Sequence, residues 1–361
     1  MRNVFFAGLC VLVMAVMAVT ADAQTAVFKY IPGVTADGVV YYLPKTVLKF
    51  AVTATRTTHI PGDFHNYAQR FLRLNNVPCS VVTQWKIDDV RMVAASAPDT
   101  SKAHVVILKK GTSAPFCSLS DNGVLLAINA QAKKYVEPTL EQRHNTSTTK
   151  TNSREFLREE ILSAGSELKM AELTAAEIYG IRESRSELTK GDADYMPKDG
   201  EQLKLMLAKL DEQENALMQL FKGYTETETK TWIVTYTPEQ GKEHEVLARF
   251  SDQNGLVDSN DLSGEPVYID VKNMNTVQQG RSEVLDRKMI NRVVYFNIPS
   301  QASVELTFRH NSLLRQTLPV AQFGHEEYLS EDLFNKRVSC HIWFNPLTGN
   351  IEKLEDDSLK K

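Results

Sequence analysis

The stretch from Ser153 to Gly223 constrains the fold most, because two runs of helical periodicity face each other across a loop full of helix breakers. Leu168, Ala171, Ala175, Ile178 and Ile181 recur at spacings of three and four. Leu203, Met206, Leu207, Leu210, Leu217, Leu220 and Phe221 do the same, so each run carries one apolar stripe. In the loop from Gly191 to Gly200, Gly191 suits a left-handed C-cap, Pro197 cannot continue a helix and Asp199 suits an N-cap. The reading is an antiparallel helical hairpin. At about 1.5 Å per residue, helices of roughly twenty-five residues reach on the order of 35 Å, enough for an arm or a cover across a sheet.

Charges interrupt both stripes. Arg182 and Arg185 fall near the end of the first and Glu214 within the second. Two readings stand: a partly buried Arg to Glu contact across the hairpin, or three solvated side chains on its outer faces. Asp192, Asp194 and Asp199 cluster in the loop, but Tyr195, Met196 and Pro197 occupy slots where a calcium loop needs an oxygen ligand and a glycine. Turn chemistry is expected there, with no metal and no cofactor.

The flanks of the hairpin alternate with period two. Before it, Leu48, Phe50, Val52 and Ala54 oppose Lys49, Thr53 and Thr55. Pro44 is expected to break the strand that begins at Val39, and Asp63 to cap a short helix bearing Phe64, Tyr67, Ala68, Phe71 and Leu72. From Trp85 and Ile87 to Val90 and Met92 the alternation slips by one at Asp88 and Asp89, which predicts a β-bulge. Asp121-Asn122-Gly123 predicts a tight turn. The Thr-, Ser- and Asn-rich run 139–152 has no apolar period and reads as a flexible link. Beyond Gly223 come five period-two sets, around Val234, Ala248, Ile269, Phe296 and Leu306, then a short amphipathic segment over 320–334 and a closing hairpin around Asn345 to Asn350.

The fold expectation is therefore α+β and mainly β, with two antiparallel β lobes, sandwich or barrel-like, and the hairpin between them. Its partition is 1–23, 24–139, 140–152, 153–223 and 224–361. The first piece reads as a secretory signal: Arg2, an apolar run from Val4 to Val19, then Ala21-Asp22-Ala23. No later stretch has the eighteen or so continuous apolar residues of a membrane helix. The expected location is periplasmic or cell-surface. Removing residues 1–23 takes away Arg2 and Asp22, so the net charge of -4 also describes the remainder and argues against a nucleic-acid partner. Cys79, Cys117 and Cys340 allow at most one bridge; Cys79 to Cys117 is the candidate pair, and Cys340 reads as a buried core residue.

Chemistry is thin in this sequence. It lacks Gly-x-Ser-x-Gly, His-Glu-x-x-His, a phosphate-binding loop and Cys-x-x-Cys. His59 and His65 flank a turn with no third ligand nearby. Catalytic residues stay unassigned and the reading leans away from an enzyme. What remains is a non-catalytic envelope binding or assembly module that uses the helical hairpin or the β-lobe loops, with an envelope protein or glycan as partner and the hairpin loop around Tyr195 and Met196 as the favoured contact surface. The alternative is an envelope hydrolase acting on glycan or peptide. Tyr41-Tyr42-Leu43-Pro44-Lys45-Thr46, the run from Ile181 to Arg185 with the Gly191 to Gly200 loop, Leu220-Phe221-Lys222-Gly223 and Phe344-Asn345-Pro346-Leu347-Thr348-Gly349 resemble the exported Bacteroidetes proteins grouped as domain of unknown function 4831. The resemblance spans nearly the whole chain after residue 23. It implies a bacterial envelope location and carries no catalytic residues across.

Overall fold

The computed structural model describes residues 26–29, 38–107, 117–197, 199–277, 293–330 and 340–356. The expected signal segment lies outside them, as do residues 331–334 of the expected amphipathic segment.

Strand outweighs helix in the fold. Fourteen strands occur among the described residues: β1 Ala26–Lys29, β2 Gly38–Ile60, β3 Val82–Ile107, β4 Cys117–Leu119, β5 Leu125–Ile128, β6 His144–Thr148, β7 Tyr224–Tyr236, β8 His244–Ser251, β9 Gly255–Val257, β10 Glu265–Asn273, β11 Val293–Phe308, β12 Asn311–Ser330, β13 Cys340–Phe344 and β14 Ile351–Asp356. They form three sheets, ordered β1-β3-β2-β7-β6, β12-β11-β10-β8-β9 and β14-β13-β5-β4. Every ladder within them is antiparallel. The first sheet takes strands from both sides of the hairpin: β7 pairs with β2 from Leu48 to Ile60.

The period-two alternation explains why two of these sheets stack. Leu48, Phe50, Val52 and Ala54 of β2 meet Val267, Ile269 and Val271 of β10 and Val304 and Leu306 of β11 in one core. A second core joins Tyr41, Leu43 and Val106 to Val294, Phe296, Cys340, Ile342 and Phe344. Between β2 and β12 a side chain bridges the backbones. The Gln322 amide oxygen accepts from Thr46 N at 2.9 Å while its nitrogen donates to Thr46 O at 2.7 Å. Ala321 N donates to the Thr46 hydroxyl at 3.0 Å, so the buried Thr46 has its backbone and side-chain polar groups satisfied.

The bulge falls where the alternation slips. Thr53 faces Asp89 and Ala54 faces Ile87, leaving Asp88 as the extra residue. Gly123 turns the chain between β4 and β5, and the Asn345 to Asn350 turn joins β13 to β14.

Five expectations are corrected. Pro44 does not end β2: it sits within the strand at a register shift, where the ladder steps from Tyr42 against Ala103 to Pro44 against Pro98, a place that tolerates a missing N–H. The run 139–152 is not all link, since His144–Thr148 pairs with β7 as an edge strand. Its side chains are all exposed, so no apolar period could announce it. The described part of the segment 320–334 is the end of β12, not a separate element. No disulfide joins Cys79, which is exposed, to Cys117 on β4. Asp63 is not the helix cap: the short 3-10 turn His65–Tyr67 begins after Phe64 and has no side-chain cap.

Candidate functional site

The chain leaves its sheets between β6 and β7 and forms the helical hairpin. A 3-10 turn, Ser153–Phe156, and a one-turn helix, Glu159–Leu162, precede the long helix Glu167–Lys190, and Gly200–Lys222 returns. We label the four α-helices α1 (Ala68–Leu72), α2 (Glu159–Leu162), α3 (Glu167–Lys190) and α4 (Gly200–Lys222). Ser166 caps α3 by accepting from Lys169 N at 3.3 Å, and Asp199 caps α4 by accepting from Gln202 N at 2.7 Å. Gly191 closes α3 at φ 81°, its N–H bonded to Glu187 O.

The arm has three zones. At its root, Phe64, Ala68 and Leu72 pack with Ala171, Ala175, Ile178, Ile181, Leu217, Leu220 and Phe221. The turn between β2 and α1 is pressed onto the end of α4, where Phe64 N donates to Leu220 O at 2.6 Å. Gly223 takes φ 79°, and a Cβ there would collide with the Ile60 carbonyl oxygen.

An ionic clamp holds the middle. Glu214 receives Arg182 Nε at 2.7 Å and an Arg185 guanidinium nitrogen at 2.6 Å; Arg185 also reaches Asp211 at 2.5 Å. The contact across the hairpin is thus formed, with Glu214 mostly shielded. Burial alone would raise the Glu214 pKa. Hydrogen bonds and charge from Arg182 and Arg185 outweigh it and hold the carboxyl below its usual range.

The outer zone buries little. Buried positions of α4 begin at Ala216, so Gly200 to Asn215 contributes none. On α3 the outermost buried residue is Leu188. A shallow groove of about 350 Å³ lies between the helices here, lined by Ser184, Leu188, Ala193, Met206 and Leu210 among others. In the same outer zone Leu205 is 62% exposed, Tyr195 59% and Met196 40%. The two residues singled out by sequence therefore sit on the open surface of the loop, two and three positions after the groove residue Ala193.

A larger cleft of about 720 Å³ opens at the root, between the Ile60 to Asp63 turn, residues 148–154, the end of α4 and the start of β7. Its walls are tied together: Ser153 Oγ donates to Ala216 O at 2.6 Å, and the Gln219 amide bonds Thr149 O at 2.6 Å and Thr151 N at 2.8 Å. Lys150 lies over the Tyr224 ring at 5.1 Å. Asp63 is the one carboxylate among the lining residues. Sequence reasoning did not find this cleft. It is assembled from segments more than 160 residues apart, from Ile60 to Tyr224, and none of them carries a catalytic motif.

The candidate histidines are already engaged. His59 Nε2 and His65 Nδ1 each lie 2.9 Å from a backbone carbonyl, of Lys222 and Gly62. His244 pairs with Asp270 at 2.8 Å and His325 with Glu327 at 3.1 Å. Among the described residues no group of three or more His, Cys, Asp or Glu is arranged to hold a metal ion.

A family model described as a domain of unknown function (DUF4831) matches residues 37–352. No curated protein and no solved structure matches the chain.

Proposed function

The chain belongs to the DUF4831 family, whose description assigns no chemistry, and on that premise we propose that it is a non-catalytic binding or assembly module of the bacterial envelope. In this reading the outer half of the helical arm engages a partner protein. One observation carries it. The outer part of the hairpin exposes Leu205, Tyr195 and Met196, carries an apolar groove lined by Leu188, Met206 and Leu210 among others, and buries no residue from Gly200 to Asn215. Large apolar side chains gathered on an extended element mark a contact surface more often than scattered single ones do. An exposed aromatic and an exposed methionine are suited to anchoring a partner's apolar face.

Export is part of the proposal. It rests on the apolar run 4–19 and the Ala21-Asp22-Ala23 end of the expected signal. No helix of the described residues is long and apolar enough to cross a membrane. The rival hydrolase reading would use the 720 Å³ root cleft, where a glycan or peptide has room and Asp63 supplies a carboxylate.

Replacing Tyr195 and Met196 together by Ser tests the proposal. The double variant should keep the melting temperature of the parent and lose capture of the partner. Undiminished capture would remove the tip from the interface.

A further inference from the structure

Among the described residues β6 closes one side of the first sheet and pairs with β7 alone. The ladder direction fixes which backbone groups face outward. Thr231 N donates to Arg143 O and Thr149 N to Thr225 O, so Arg143, Asn145, Ser147 and Thr149 point their backbone groups at β7. By antiparallel alternation, the N–H and C=O of His144, Thr146 and Thr148 point away from the sheet.

Other edges of the described sheets are blunted. β1, β4 and β9 have at most four residues, β12 carries Pro319 and Arg315, and β14 carries Glu352, Lys353 and Glu355. Short length, proline and charge are the devices that discourage edge pairing. β6, His-Asn-Thr-Ser-Thr, has five residues and no Pro, Lys, Arg, Asp or Glu.

We propose that β6 pairs with β6 of a second copy of this chain, antiparallel and two-fold about Thr146, joining two five-stranded sheets into one. The register is set by the outward groups: Thr146 faces Thr146, and His144 faces Thr148 of the second copy, about six backbone hydrogen bonds in all. Asn145 then faces Ser147. No pair sets like charges against each other, and the facing hydroxyls repeat a contact this sheet already uses. Thr53 and Thr231 meet at 2.9 Å, Thr55 and Thr229 at 2.9 Å, and Ser147 and Thr227 at 2.6 Å.

A second copy suits this edge better than an unrelated strand. Here the five side chains are polar and exposed, and what matches them is the same hydroxyl-rich strand. Because the strand is short, the association is weak and concentration-dependent.

The test is light scattering and sedimentation of the purified protein over a wide concentration range, with Thr146→Pro as the contrast. The Thr146 N–H points outward, so proline removes one edge donor per copy and leaves the β7 ladder in place. The expected result is reversible dimerisation, weakened about tenfold or more in Thr146→Pro. Should that variant fold poorly by circular dichroism, Thr146→Cys in a Cys79→Ser background decides the matter. Residue 146 sits on the two-fold axis with Cα atoms about 5.5 Å apart, within disulfide reach. A mild oxidant should link it into dimers faster than exposed Cys79 links the parent. A monomer at every concentration, or crosslinking no faster than through Cys79, overturns the proposal.

Discussion

Glu214 receives two guanidinium groups, and the tie it makes is partly shielded. In a double-mutant cycle, Arg185→Leu and Glu214→Leu should couple by about 0.5–2 kcal/mol, read from urea denaturation; additive effects would contradict the clamp. Its pH dependence follows from the direction of the shift. A carboxyl whose pKa is lower in the folded protein contributes stability above its unfolded value, about 4.3, and that contribution is lost as pH falls through the folded value. Wild-type protein should lose stability below about pH 4 more steeply than Glu214→Gln, in melts followed at several pH values. Cysteine reactivity is graded by burial. Burial pushes the Cys117 thiol up to about 11 and Cys340 is almost fully covered, while Cys79 is exposed. A maleimide should label Cys79 first at neutral pH, and the other two chiefly after denaturation.

At the scale of the element, two glycines of the arm should respond oppositely to alanine. Gly180 sits in the middle of α3 with open space where a Cβ would go, so Gly180→Ala should stabilise by about 0.5–1 kcal/mol. Gly223 ends α4 with positive φ and has the Ile60 carbonyl against it, so Gly223→Ala should lower the melting temperature. The arm was the most legible element of the sequence, because helical period, caps and loop all agreed, and Gly191 and Asp199 serve as read. The bulge at Asp88 was legible for a similar reason: a period of two that slips once can keep its apolar face only by adding a residue. β6 was not legible. A strand with every side chain in solvent has no apolar alternation, and only its partner β7 reveals it. Pro44 misled because a proline normally ends a ladder, whereas here it falls at a register shift.

Across the whole molecule, the sequence showed that the fold would be mainly antiparallel β with a helix pair, and the sheets and hairpin agree. It did not show which strands would pair across the hairpin. β2 and β7 meet over more than 160 residues of separation, and alternation names the inward face of a strand without naming its neighbour. The root cleft was hidden for the same reason, since its walls come together only once β2, β6, β7 and α4 are in place. Tyr195 and Met196 were legible as apolar residues in a polar loop, and the structure leaves both on the surface of the arm. The proposed function stands on the arm as a contact surface. Crosslinking in intact cells that express the protein, with mass spectrometry to locate the joined residues, is the decisive experiment. The expected result is reproducible links from the outer arm, residues 184–210, to one other protein, lost when Tyr195 and Met196 are both Ser. Abundant, folded protein whose links come only from the sheets, or whose arm links survive those substitutions, would contradict it.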